Sequence, residues 1–216
     1  MAKTRVLLVD DHTVVRQGLR RILELSADIE IVGEVADGRA ALDAVQRLKP
    51  AVAILDISLP GLNGIEVTRH LAKSAPETKV LILSMHADDA YIRQSLHAGA
   101  KGYLLKDADD HDLLRAVNAL NAGGSFFSPA VSRVVLDAFL HRSDANVATD
   151  ELALLSDRER EVLQLIAEGK SNKDVAQLLN VAVSTVESHR KRVMEKLDLH
   201  NTAEMVRFAV RKGVVQ

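Results

Sequence analysis

The sequence has no cysteine. That excludes disulfides, cysteine zinc sites and thiol nucleophiles, and fits a reducing, cytoplasmic setting. It has no excess of one charge: 28 Lys and Arg stand against 30 Asp and Glu, for a formal net charge of −2. Global charge therefore neither announces nor excludes a nucleic-acid partner, and any basic patch must be local. Long apolar runs are missing too. The N-terminal stretch reaches only Val6, Leu7, Leu8 and Val9 before Asp10 and Asp11. That is too short for a signal peptide, and nothing later could span a bilayer, so no membrane partner is expected.

The apolar fraction is 47% and the charged fraction 27%, ordinary for globular domains and unlike disordered chains. At about 150 residues per domain, the length implies one large or two small domains. Short apolar runs at 6–9, 29–35, 51–55, 80–83 and 102–105 alternate with helical patterns at 13–26, 38–48, 63–74, 88–99 and 109–122. Four of the runs lack polar/apolar alternation, as expected of strands covered on both faces. This order implies an α/β, doubly wound, five-stranded parallel sheet over residues 1–124. Pro50, Pro60 and Pro76 all fall in connections, where they break no ladder. Residues 125–150 read as a linker, with a helix from Pro129 to about 142 capped by Ser128, and a polar stretch at 143–149. From 151 to 216 only helical patterns occur.

In an open parallel sheet, ligands sit beyond the carboxyl ends of the strands. Those ends carry Asp10 and Asp11, Asp56, Ser84 and Lys106. Single aspartates at such places are usually caps or turn formers. Polar groups at four strand ends together describe a site. Converging carboxylates repel unless a cation is bound, and an all-oxygen set suits a hard ion such as Mg2+. A carboxylate can also act as a nucleophile and form an aspartyl-phosphate. Asp56 is the best candidate, because it ends the buried run 51–55. Lys106 would neutralise phosphoryl charge and Ser84 could hydrogen-bond a phosphoryl oxygen.

The segments Leu7-Leu8-Val9-Asp10-Asp11, Ile54-Leu55-Asp56-Ile57-Ser58-Leu59-Pro60-Gly61, Leu83-Ser84 and Gly102-Tyr103-Leu104-Leu105-Lys106 closely resemble the receiver domain of bacterial response regulators. The resemblance covers about 3–124. It implies that a cognate sensor histidine kinase phosphorylates Asp56. It also implies that Asp11, Asp56 and the backbone carbonyl of Ser58 ligate Mg2+, with Asp10 acting through water. Lys106 would touch the phosphoryl group, and Ser84 and Tyr103 would form a switch pair, Tyr103 turning inward as Ser84 moves. Many receivers have Pro after the lysine, where this chain has Asp107.

In the second half, Ser156 and Glu159 match a capping box. Gly169 is a helix stop, Ser171 a cap, and Asn180 a left-handed stop. Ser184 and Glu187 match a second capping box. Two short helices joined by so tight a turn read as helix-turn-helix. At about 100° per residue, Val186, Val193, Met194 and Leu197 share the buried face of the helix at 184–198. Ser184, Ser188, Lys191 and Arg192 lie opposite, as on a helix that reads base edges and grips phosphates. Residues 181–216 hold seven Lys and Arg against four Asp and Glu. Arg190 falls near the apolar face and is expected to pair internally, and His189 to pack. The remaining histidines show no metal-site spacing.

The stretches 155–176, Ser184-Thr185-Val186-Glu187-Ser188-His189 and Lys196-Leu197 resemble the LuxR-type helix-turn-helix. Together the two halves resemble the NarL/FixJ family of response regulators. This implies an all-α four-helix domain binding double-stranded promoter DNA through Ser184, Thr185, Glu187, Ser188, Lys191 and Arg192, with Lys173 on the preceding helix. The last helix, 202–212, would form a homodimer on DNA, offering Met205, Val206, Ala209 and Val210. RNA polymerase is a further expected partner. Where relatives often carry a base-contacting Lys after the Thr-Val pair, this chain has Glu187, which could accept from cytosine or close the capping box.

The expected function is a transcription regulator switched by phosphorylation, not an enzyme beyond slow self-catalysed phosphorylation and dephosphorylation. One alternative is a DNA-binding regulator independent of phosphorylation. Another is an aspartyl-phosphate phosphotransferase or phosphatase. Such hydrolases often carry a second Asp two residues after the nucleophile, and Ser58 occupies that position.

Overall fold

In the first strand, β1 (Thr4–Val9), Val6 and Leu8 enter one hydrophobic core and Leu7 and Val9 another. This is the period-two alternation of a strand covered on both faces. The computed structural model describes residues 3–140 and 151–215. The chain divides into two compact units, Met1–Arg142 and Ser143–Gln216. The polar stretch expected at 143–149 lies outside the described residues.

The first unit continues with α1 (Thr13–Glu24), β2 (Ile29–Val35), α2 (Gly38–Leu48), β3 (Val52–Asp56), α3 (Gly64–Ser74), β4 (Lys79–Ser84), α4 (Asp89–Ala98), β5 (Gly102–Leu105) and α5 (Asp110–Asn121). After these come β6 (Phe126–Phe127) and α6 (Pro129–Leu140). The sheet order is β2-β1-β3-β4-β5-β6, with every neighbouring pair parallel. Helices α1 and α5 supply Leu23, Leu113, Ala116, Val117 and Leu120 to one core, with Ile54 and Leu81 from the sheet. Helices α2, α3 and α4 cover the other face, where Leu55, Ile82 and Tyr103 are buried. Truncating such a core residue, Leu55 for example, costs about 2–5 kcal/mol.

The five-strand expectation is short by one. Gly102 pairs with Phe126 and Tyr103 with Phe127. Two residues carry no periodicity to read; β5 supplies the edge on which they pair. Helix α6 starts at Pro129 as expected, but the Ser128 hydroxyl is buried without a hydrogen-bond partner among the described residues, so it does not cap the helix. Val131 is buried in the first unit's core, with Val134 and Val135 packed against it. The segment read as linker is therefore, through α6, part of the first unit.

The second unit has a 3-10 turn at Glu151–Leu154, then α7 (Asp157–Ala167), α8 (Asn172–Leu179), α9 (Val183–Leu197) and α10 (Thr202–Arg211). The Ser156–Glu159 capping box closes α7, and Ser171 forms a second one with Asp174 at α8. Each such cap is worth about 1 kcal/mol. Gly169 (φ 83°) and Asn180 (φ 51°) take the expected left-handed conformations. The capping box expected at Ser184 and Glu187 does not form. Helix α9 begins one residue earlier, its N-cap is Ala182, and no side chain caps it.

Candidate functional site

The register that sets Val9 beside Leu55 brings the residues after β1 next to the end of β3. Asp10 and Asp56 are both buried. Lys106, just beyond β5, lies between them: its Nζ is 2.8 Å from Asp10 Oδ2 and 3.0 Å from Asp56 Oδ2. The backbone N–H of Ser58 also reaches the Asp56 carboxylate. The loop carrying Ser58 turns so tightly that a Cβ on Gly64 would sit 2.0 Å from the Asp56 carbonyl oxygen. Only glycine leaves room for that approach. The Lys106–Asp107 peptide is not cis; no described bond is.

Burial pushes the Asp56 carboxyl above its ordinary range, although the Lys106 ammonium pulls the other way. Burial also draws Lys106 down. Its hydrogen bond to Asp10 and the charge of Asp56 more than offset this and leave it raised. The pocket thus holds the half-buried Lys106 ammonium between two buried carboxylates, with ligand atoms of Asp10, Asp11, His12 and Asp56 within 4.8 Å of one another. Three carboxylates on one side of the pocket fit a hard divalent cation.

His12 is a residue that sequence reasoning missed. Its Nδ1 is 2.7 Å from Asp11 Oδ1, and its backbone N–H donates to Asp10 Oδ1 at 2.8 Å. Adjacency to the Asp pair was the available signal. Arg16 secures the same loop by donating to the Asp10 carbonyl at 2.5 Å.

Ser84 and Tyr103 lie on neighbouring strands, both fully buried. The expectation that Tyr103 waits outside and turns inward is corrected: its ring is already inside. Burial pushes its phenol well up, and the hydroxyl donates to the His86 carbonyl at 2.7 Å. Ser84 Oγ accepts from the His86 N–H at 3.1 Å. The His86 ring stacks on Tyr91 of α4 with centroids 4.3 Å apart.

In the second unit, residues 180–182 separate α8 from α9. Val186 and Val193 are buried, while Ser184, Glu187, Ser188, Lys191 and Arg192 are exposed and Thr185 is half-buried. Lys173 is exposed on α8. Arg190 turns inward as expected, donating to Asn172 Oδ1 at 3.4 Å and to the Thr202 hydroxyl. Lys196 pairs with the buried Glu159 at 2.7 Å, tying α9 to the start of α7.

On α10, Met205 and Ala209 are fully buried in their own domain. They are not available to a partner, which corrects half of the expected dimer set. Packing against Val193 and Phe208 in the same core accounts for their apolar character. Val210 is half exposed and Val206 half-buried. No helix among the described residues is long and apolar enough to cross a membrane.

The family model described as response regulator receiver domain matches residues 6–118. The one described as bacterial regulatory proteins, luxR family, matches 153–209. The chain is 40% identical over 214 residues to the oxygen regulatory protein NreC of Staphylococcus carnosus (strain TM300), covering 98% of this chain and 99% of that one. It is 42% identical, with the same coverage, to NreC of Staphylococcus haemolyticus (strain JCSC1435). Among solved structures, the response regulator ChrA of a heme-sensing two-component system aligns at 35% identity and a TM-score of 0.54, covering all of both chains. RcsB of Salmonella enterica serovar Typhimurium, bound to promoter P1flhDC in the presence of the phosphomimetic BeF3-, aligns at 29% identity and a TM-score of 0.60. That alignment covers 95% of this chain and 97% of RcsB.

Proposed function

We propose a residue-level mechanism on a settled premise: the chain belongs to the two-component response regulators of the NarL/FixJ type, which join a receiver domain to a LuxR-type DNA-binding domain and regulate transcription. Asp56 is the phosphoryl acceptor. One of its carboxylate oxygens attacks the phosphorus of a phosphohistidine on the sensor kinase. The P–N bond breaks, and its electron pair stays on the kinase imidazole, which takes a proton. Lys106 holds the negative charge gathered on the phosphoryl oxygens. The observation that carries this reading is the half-buried Lys106 ammonium set between the buried Asp10 and Asp56.

A bound Mg2+ supplies charge neutralisation and orientation of the phosphoryl group. Asp11, Asp56 and the Ser58 carbonyl would hold it directly, and Asp10 through water. Ser58 offers no general acid, so turnover by the chain itself, from small phosphoryl donors or to water, is slow.

Once Asp56 carries the phosphoryl group as an acyl phosphate, Ser84 turns toward the new oxygens. The inward Tyr103 and the His86 loop then lock in one arrangement, biasing a two-state element at α4. The output is binding of double-stranded promoter DNA by α9, with Ser184, Thr185, Glu187 and Ser188 toward the bases. Lys191, Arg192 and Lys173 grip phosphates. RcsB, which is bound to promoter DNA in the presence of a phosphomimetic, supports a phosphorylated form that binds DNA. A homodimer on DNA would use Val206 and Val210 of α10, and RNA polymerase is a further partner. These partners place the chain in the cytoplasm. The receiver domain takes in α6 (Pro129–Leu140), and the DNA-binding domain lies within the second unit, Ser143–Gln216.

Incubating the chain with phosphorylated sensor kinase and Mg2+ tests the acceptor. Phosphate-affinity gels should retard the wild type and leave Asp56→Asn unshifted. Equal retardation of both would move the acceptor elsewhere.

A further inference from the structure

The Glu187 carboxylate stands in the second turn of α9, exposed, flanked by the exposed Ser184, Ser188 and Lys191. Two ordinary roles for it are removed by the structure. It cannot close a capping box, because α9 starts at Val183 and its N-cap is Ala182. It does not pair with Lys191 one turn on, because Lys191 Nζ lies 3.7 Å from Glu195 instead. Among the described residues the Glu187 carboxylate makes no hydrogen bond or ion pair.

An uncommitted carboxylate on a DNA-facing helix is repelled by the phosphates, since a basic surface supplies most of the affinity. A base-edge donor can offset that. In the major groove guanine shows two acceptors, thymine an acceptor and a methyl, and adenine a donor beside an acceptor. Cytosine alone offers an amino donor with no acceptor on the same base to repel the carboxylate, whereas adenine sets its N7 beside its amino group.

Resting on the reading of α9 as the groove element, we propose that Glu187 is a specificity-determining residue that selects a cytosine at one position of each half-site. Its carboxylate accepts from the cytosine N4 amino group.

The test is selection of binding sites from a random duplex library by the full chain, phosphorylated with a small-molecule donor and Mg2+. Wild type, Glu187→Gln and Glu187→Ala are compared. The wild type should favour cytosine over the other bases at one position per half-site by about tenfold, within the range of one good base contact. Glu187→Gln, of equal size, should exchange that preference for adenine. Glu187→Ala should lose the choice there, keep it elsewhere, and bind random DNA more tightly. Identical preferences in all three proteins would overturn the assignment and leave the regulator reading intact. So would a loss spread over every position. A wild type that enriches no sequence would overturn both. Matching thermal midpoints for wild type and Glu187→Gln would exclude a folding effect, and the glutamine variant decides the matter if the alanine variant is unstable.

Discussion

Ser84 and Tyr103 hold opposite ends of one residue: the serine Oγ accepts from the His86 N–H at 3.1 Å, and the tyrosine hydroxyl donates to the His86 carbonyl at 2.7 Å. The His86 ring in turn stacks on Tyr91. A displacement of Ser84 therefore pulls on the loop that enters α4. Because Tyr103 is already inside, phosphorylation in the proposed mechanism stabilises its inward position and does not create it.

Tyr103→Phe keeps the buried ring and loses the hydroxyl's bonds to the His86 carbonyl and to Ser84. It should be phosphorylated at the wild-type rate. Its gain in DNA affinity on phosphorylation should fall about fivefold or more, the lower end of ordinary coupling between sites. Titrations of labelled duplex with and without a phosphoryl donor check this. An undiminished gain would show that the hydroxyl carries no coupling.

Asp56→Asn should raise stability in Mg2+-free buffer at neutral pH. Burial raises the folded-state pKa of Asp56, so folding favours its protonated form. Stability then falls as pH rises from the unfolded value of about 3.9 through the folded one, and stays diminished above it. The amide escapes that penalty, and Lys106 keeps Asp10 at 2.8 Å. Calorimetric midpoints should favour the variant at neutral pH and converge toward about pH 4. A lower midpoint for the variant at neutral pH would contradict the reading.

Glu159 has the opposite sign. Burial alone would raise its pKa, but the hydrogen bonds from Lys196 and Ser156 outweigh it and leave it lowered. The stability it contributes is complete above the unfolded value of about 4.3 and disappears as pH falls through the folded one. Glu159→Gln, which can still accept from the Ser156 N–H, should destabilise the DNA-binding domain by about 1–2 kcal/mol at neutral pH, the scale of one charged hydrogen bond. The gap should close in acid. A gap unchanged down to about pH 3 would assign the effect to packing.

Arg190 and Lys191 are adjacent yet should behave differently. Arg190→Ala loses the bonds to Asn172 and Thr202 and should lower thermal stability by about 1 kcal/mol. Lys191→Ala should leave stability unchanged and weaken binding to all duplexes alike, reducing the salt slope by about one. Reversed outcomes would exchange the two roles.

Much of this was legible in the residues. Asp10, Asp56 and Lys106 stood at strand ends that a parallel sheet must bring together, and Ser156, Gly169, Ser171 and Asn180 marked helix boundaries. Other features left no trace. Phe126 and Phe127 are too few to show a period, so β6 exists only through β5. Ser184 and Glu187 have capping-box spacing, but the helix already starts at Val183, and its N-cap Ala182 has no side-chain acceptor. The apolar stripe of α10 says that Met205 and Ala209 are buried but not against what, and Phe208 and Val193 supply the answer within the same domain. The inward position of Tyr103 depends on the core residues packed around it, which no local pattern encodes.

The most direct test of the switch is the affinity of the full chain for a duplex enriched from a random library, measured with and without a phosphoryl donor and Mg2+, for wild type and Asp56→Asn. The wild type should bind at least fivefold more tightly when phosphorylated, as expected for coupled sites (about 5–150-fold), and the variant should not respond. Equal affinity of the wild type in both states would separate the acidic pocket from DNA binding and contradict the mechanism.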